Sequence, residues 1–183
     1  MATLPGDNEP APGYDDPLGM LAACHRRIER QLATLDRLRR HLPAHGCDAD
    51  ARAAAAGILR YFDTAAPHHH ADEEESVFPR LVAAAPNALA LVETLAREHE
   101  ALAANWQRLR PVLAALTAGE AAPLTAELVD GVRAAYAAHI AIEEAELIPW
   151  AARSFDAATL ATVAGEMAAR RGVDPAAPGR SVR

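Results

Sequence analysis

His69-His70-Ala71-Asp72-Glu73-Glu74-Glu75-Ser76-Val77-Phe78-Pro79 and, 70 residues later, His139-Ile140-Ala141-Ile142-Glu143-Glu144-Ala145-Glu146-Leu147-Ile148-Pro149 write one pattern twice: His-x-x-x-Glu-Glu, apolar residues, proline. Residues four apart on an α-helix are one turn apart and rotated by only about 40°, so both side chains leave the same face and can grip one metal site. Helical steps before His69 fall on Ala66, Phe62 and Ile58, and those after it on Glu73 and Val77. The same steps around His139 give Leu128, Val132 and Tyr136, then Glu143 and Leu147. Both pairs therefore sit on apolar stripes that carry no nearby Lys or Arg. A buried, unpaired carboxylate costs several kcal/mol or neutralises itself, so two of them call for cations from elsewhere.

Two further histidines complete the set. Leu18, Leu21, His25, Ile28, Leu32 and Leu35 align at an offset of 74 with Val92, Leu95, His99, Leu102, Trp106 and Leu109, each run with one His in its apolar seam. The chain is a duplicated helical hairpin, and four such seams predict an all-α fold, an antiparallel up-down four-helix bundle whose core can house a cofactor. Two metals then suit the donors: His25 and His69 on one, His99 and His139 on the other, with Glu73 and Glu143 bridging. Mixed nitrogen and oxygen donors with room for more oxygen favour iron or manganese over a closed zinc site. His70 and Glu74 are also four apart, but Pro79 aligns with Pro149 only if His69 matches His139 and Glu73 matches Glu143. In that register His68 and His70 are either flanking residues or a second layer behind the ligands. Glu74, Glu75 and Glu144 belong to a solvated face, from which one could still orient an imidazole through its free N–H.

This order of residues, His25, His69 with Glu73, His99, then His139 with Glu143, resembles the hemerythrin-like proteins, the HHE cation-binding domain, over about residues 17–150. The resemblance implies an oxo- or hydroxo-bridged di-iron centre, with manganese or zinc less favoured. It also implies a small ligand: O₂, peroxide or NO. Oxygen carriers of the family have a second His one turn after the third-helix His and an Asp as the last carboxylate. Here those positions are Ala103 and Glu143. One metal then keeps a more open coordination position, which argues against simple reversible oxygen carriage. Catalase-like peroxide decomposition or a reactive-species response is the first reading; a sensor acting through a partner, or an oxygen carrier, is the alternative. Phe62, Trp106 and Tyr136 lie one or two turns from ligands and either pack the core or wall a small-molecule pocket.

The rest of the chain bounds these readings. At 183 residues it is ample for one domain, and a net charge of −7 argues against nucleic acid and against a basic membrane patch. No apolar stretch approaches a membrane span and no signal-peptide pattern opens the chain, so the expected location is the cytoplasm. Cys24 and Cys47 have no metal-type spacing and read as reduced thiols. Residues 1–15 predict a flexible lead, 16–172 the bundle with a short fifth helix, and 173–183 a flexible tail. Within the bundle, helix 1 is expected to end near Leu42, ahead of Pro43 and Gly46. His41 and His45 then fall at an exposed first loop. Helix 2 is expected to kink or finish at Pro79, since proline has no amide to bond back to Glu75, and helix 4 to start at Pro123. The fifth helix turns Leu160, Val163 and Met167 to one side, to cover a bundle end or a partner; a homo-oligomer is compatible with that face.

Overall fold

The structure, a computed structural model, describes residues 13–173. Its long helices are α1 (Pro17–His45), α2 (Ala49–Ala71), α4 (Leu89–Thr117) and α5 (Ala126–Ile142). They form an all-α, antiparallel bundle in which α1 and α4 each pack against both α2 and α5. Short polar side chains start the helices by accepting an orphan amide: Asp16 from Gly19 (2.9 Å), Asp48 from Ala51 (2.8 Å), Thr125 from Leu128 (3.3 Å) and Asp156 from Thr159 (2.8 Å). Thr125 corrects the expected start of the fourth bundle helix at Pro123: proline there precedes the cap rather than opening the helix. At the other end of α1, Pro43 lies inside the helix, which closes only when Gly46 bonds to the Leu42 carbonyl (2.8 Å) and turns to φ 64°. Proline removes one hydrogen bond, and α1 tolerates that loss in its final turn.

The two prolines after the His-Glu motifs do something else. Neither helix finishes there. α2 runs into a π-helical segment, Asp72–Val77, and continues as α3 (Phe78–Ala84); α5 runs into a second, Glu143–Leu147, and continues as α6 (Ile148–Ser154). The Phe78 amide reaches back to Glu73 and the Ile148 amide to Glu143, five residues instead of four. This wider turn adds one residue to the helical repeat, a feature concentrated at functional sites. It buries Asp72, Glu73, Ser76 and Val77 together, a broader inward face than an α-helix of that length presents.

The core is divided in two. One cluster gathers Ile28, Leu35, Ile58, Leu102, Leu109 and Val132; the other gathers Leu21, Val77, Leu81, Leu95, Leu147 and Met167. The second is closed by the fifth helix, α7 (Ala157–Arg170), whose Val163 and Met167 are fully buried, each contributing about 1.5–3 kcal/mol. The expected apolar face of this helix is thus occupied by its own bundle. A charged clamp reinforces it: Arg170 and Arg171 both bind the fully buried Asp72, with Arg171 Nη1 3.1 Å from Oδ1, and Arg170 also donates to Glu75 at 2.8 Å. Among the described residues no helix is long and apolar enough to cross a membrane. Of the expected flexible ends, only residues 13–15 and 173 fall within the described part; the remainder of each lies outside it.

Asp72→Ala leaves both guanidiniums without their shared acceptor. It should lower unfolding stability by about 2 kcal/mol, the worth of hydrogen bonds to a charged group whose arginine partners keep some contact with solvent. A urea midpoint unchanged from the parent protein would show that α7 is held by its apolar face alone.

Candidate metal centre

Each bundle helix delivers one imidazole at the level where the two apolar clusters part. His25 lies between Leu21 and Ile28, His69 between Ala66 and Val77, His99 between Leu95 and Leu102, and His139 between Tyr136 and Leu147. In every case one neighbour belongs to each cluster. The two π segments begin at this level and bring Glu73 and Glu143 into the same plane. All six side chains predicted from the sequence are at most 3% exposed.

The distances define two halves. Glu143 Oε2 is 3.0 Å from His25 Nε2, while its Oε1 is 2.9 Å from His139 Nε2 and 3.6 Å from His99 Nε2. Glu73 Oε1 is 3.7 Å from His69 Nε2 and its Oε2 is 3.4 Å from His99 Nε2. Each carboxylate therefore turns one oxygen to each half. Two four-donor sets result, His25, His69, Glu73, Glu143 and Glu73, His99, His139, Glu143, with the donor atoms of each within 4.8 Å of one another. Donors about 2.1 Å from a shared ion stand roughly 3–4 Å apart, so the sets have the right span.

His99 Nε2 and His139 Nε2 are hydrogen-bonded at 3.0 Å, and the carboxylates take no part in that bond. Both oxygens of Glu73 and of Glu143, both ring nitrogens of His69 and Nε2 of His25 are buried without an aligned hydrogen-bond partner. The donor atoms are close to one another, within 4.8 Å in each set, without being aligned as hydrogen bonds. Orphaned buried polar atoms are rare and costly, and this many in one layer fit cations that satisfy them together.

The protonation balance is correspondingly tense. Burial, with the charge of Glu143, pushes the Glu73 carboxyl well above its ordinary range. Burial acts upward on Glu143 too, but the imidazoles of His139, His25 and His99 outweigh it and hold that carboxyl well below its usual range. Burial drives His69 well down. It also weighs on His99, yet the proximity of Glu143 and Glu73 raises that imidazole to about 10.

Outside this layer lies a ring of carboxylates. His25 Nδ1 meets Glu144 at 3.1 Å, His99 Nδ1 meets Glu74 at 2.6 Å, and His139 Nδ1 meets Glu98 at 2.8 Å. Such partners fix which nitrogen faces a metal and make it more basic. The duplication extends to this level: in both Glu-Glu pairs the first residue points inward and the second grips the lone His of the opposite hairpin. Glu75 has no such role and binds Arg170 instead. Glu98 has no counterpart in the first repeat, where Cys24 occupies the matching position, and His69 Nδ1 is unpartnered. Sequence spacing does not single out Glu98, whose partner His139 lies 41 residues away. Cys24 is a free, buried thiol pushed upward by its burial, and Cys47 is free and donates to the Leu116 carbonyl at 3.1 Å.

Of the two places expected for His70, the structure shows the one beside the donors: its ring stacks on His99, centroids 4.0 Å apart and 13° from parallel. Two other expectations are corrected. Ala103 is exposed, because the buried seam of α4 steps from His99 to Leu102, so that position does not face the centre. His41 and His45 lie on α1 rather than in a loop, stacked at 4.3 Å, with His41 Nε2 2.9 Å from Asp48. Of the aromatic residues, Phe62 packs between Trp106 (5.0 Å) and Tyr136 (5.5 Å) in the first cluster. Trp106 donates outward to Asp63 at 3.0 Å, while Tyr136 lies 6.5 Å from His70 and its phenol is raised by burial and by the charge of Glu143.

Residues 16–151 match the profile of the hemerythrin HHE cation-binding domain. The chain is also similar to an uncharacterized protein of Haemophilus influenzae, 34% identical over 160 residues that cover 87% of this chain and 92% of the relative.

Replacing Glu73 or Glu143 with Ala removes one donor from each half and should lower the bound metal from two ions toward one or none. Glu74→Ala should keep the stoichiometry at saturation while weakening affinity 10- to 100-fold. Metal analysis of purified variants, with chelator competition, tests both; full occupancy in the Glu73→Ala, Glu143→Ala double variant would contradict the bridging role.

Proposed function

Because the chain belongs to the hemerythrin HHE cation-binding domain family, we propose that its buried donor layer holds two iron ions and meets O₂, peroxide or NO. The observation that carries this reading is the pair of four-donor sets sharing Glu73 and Glu143, with their oxygens otherwise unpartnered. His25 and His69 would hold one ion, His99 and His139 the other, and the two carboxylates both. Imidazole with carboxylate suits iron or manganese, and four protein donors per ion leave positions free for a ligand. A bound iron pair supplies reversible electron transfer and an open position for a small oxidant.

The chain's own residues do the remaining work. Apolar clusters above and below the layer exclude water from both faces, which strengthens every electrostatic contact within it. Glu144, Glu74 and Glu98 hold three imidazoles in fixed tautomers from outside. Tyr136 is a hydroxyl donor near the His99 side, suited to a hydrogen bond with a bound small molecule. Phe62 and Trp106 support it from behind as packing. Peroxide disproportionation fits such a site because two H₂O₂ give two H₂O and O₂ with no outside reductant. A sensor role has one specific observation behind it: Asp72, next to Glu73, is clamped by Arg170 and Arg171 at the end of the fifth helix, so a shift at Glu73 reaches that helix.

Aerobically purified protein should contain two iron ions per chain and decompose hydrogen peroxide at a modest rate. The reduced form should oxidise quickly in air, and Tyr136→Phe should slow peroxide turnover without changing iron content. Absence of iron from the purified protein, or a stable and reversible spectral change with O₂, would return the reading to another metal or to oxygen carriage.

Loading should also release protons. A neutral imidazole is needed to bind a cation, and His99, raised to about 10, is protonated at pH 7. Affinity should therefore rise between pH 6 and pH 9, and calorimetric heats at pH 7 should depend on the ionisation enthalpy of the buffer. Heats independent of buffer would count against proton displacement.

A further inference from the structure

One succession of rings leads out of the donor layer to the surface. His99 stacks on His70 at 4.0 Å, His70 faces Tyr136 at 6.5 Å, Tyr136 meets Phe62 at 5.5 Å, and Phe62 stacks on Trp106 at 5.0 Å, all between ring centroids. The spacings among Tyr136, Phe62 and Trp106 are those of direct ring contact. Tyr136 and Phe62 are buried, whereas Trp106 is half-buried and donates its indole N–H to the exposed Asp63 at 3.0 Å. Asp63 also accepts from Arg110 at 3.0 Å, and that guanidinium, with the indole N–H, holds its carboxyl below the usual range. The outer end of the path therefore carries a ready proton acceptor. Along α4 the whole span is short: Trp106 stands two turns after His99, about 10 Å along the helix axis.

The fold itself does not require these rings. In the repeat, His70, Phe62, Asp63, Tyr136 and Trp106 correspond to Ile140, Val132, Arg133, Ala66 and Leu32. Ile140, Val132, Ala66 and Leu32 are buried core residues, so aliphatic side chains fill the matching places on the other side of the bundle. A chain with only 4% aromatic residues has thus gathered them on one side, in contact and in line with the donors. We propose that Trp106 is a one-electron donor to the metal pair, with Phe62, Tyr136 and His70 as the medium through which the electron passes inward. This rests on the iron reading above. The step it serves is reductive cleavage of hydrogen peroxide: the O–O bond takes up two electrons, one from the reduced iron pair and one from Trp106, and with two protons from solvent gives two water molecules. The Trp106 indole loses its N–H proton to Asp63, which passes it to water. The neutral radical left behind recovers one electron and one proton at the surface from a thiol or ascorbate. An oxidising equivalent thereby leaves the core without attacking the imidazoles or the buried Cys24 beside them.

The test takes full-length, iron-loaded protein in its reduced form, mixes it with a single equivalent of hydrogen peroxide and freezes it within milliseconds for electron paramagnetic resonance. The parent protein should give an indolyl radical, whose signal narrows when its tryptophan is ring-deuterated. Trp106→Phe should abolish that signal at unchanged iron content. Trp150→Phe, which removes the other tryptophan, half-buried against the second cluster, should keep it. Phe62→Leu opens a gap in the path while sparing the bond from Trp106 to Asp63, and should lower the radical yield severalfold. Asp63→Asn should leave the radical as a cation, told from the neutral form by its visible absorption. Peptide mapping after repeated peroxide additions should find oxidised indole at Trp106 and not at Trp150, and none in zinc-loaded protein. Equal radical signals in parent and Trp106→Phe, or an unoxidised Trp106 without any radical in the iron-loaded parent, would overturn the inference while leaving two-iron binding intact. A parent protein that binds no iron would overturn both.

Discussion

Two carboxylates enclosed in the middle of a hydrocarbon bundle are the constraint on which this structure turns. Glu73 and Glu143 are completely buried, the chain has no lysine, and no arginine is among the buried residues described. Ionised carboxylates cannot be left in such surroundings, and four imidazoles supply only a partial answer, since each proton they hold competes with the next. The layer is stable when cations compensate it. Its position between two separate apolar clusters follows from the same requirement: polar donors gather at one level, and the hydrocarbon divides to either side of them.

Sequence periodicity made this layer legible because helical geometry is local. A spacing of four and an apolar stripe are enough to fix which side chains share a face, and the repeated proline fixed the register among three consecutive histidines. What stayed hidden depends on neighbours that are remote in sequence. Glu98 meets His139 across 41 residues, and Asp72 meets Arg170 across 98. No spacing rule encodes either contact. Ala103 was misplaced for a different reason: a stripe wanders by a fraction of a turn over each repeat, and on α4 the inward position after His99 falls on Leu102. For His70 two places stayed open because register tells which residue of a run is innermost, not where a planar neighbour will lie once a ring is available to stack on.

Duplication explains both the economy of the site and its asymmetry. One hairpin with a lone His and a His-x-x-x-Glu-Glu motif, used twice, yields both metal-facing sets and two of the three outer carboxylates. The deviations from the repeat, His70 against Ile140 and Glu98 against Cys24, fall in the immediate surroundings of the donors and leave the six donors themselves matched. The matched donors thereby sit in dissimilar surroundings in the two halves.

The π-helical segments bear on how such a frame can vary in length. Each contains one residue more than α-helical winding would use, and the wider turn absorbs it, so the residues that follow keep a face they would lose by about 100° if the same sequence wound as a regular α-helix. Loss of a single codon inside 72–77 or 143–147 would give back a regular α-helix with better hydrogen bonding. That shorter helix would still turn Phe78 and Leu81, or Ile148 and Ala151, to the cluster they now fill, at the cost of one of the inward positions of the segment. The two irregular turns are thus the places where the chain can gain or lose a residue without disturbing the packing on either side, whereas the same change inside a regular helix would rotate every later contact.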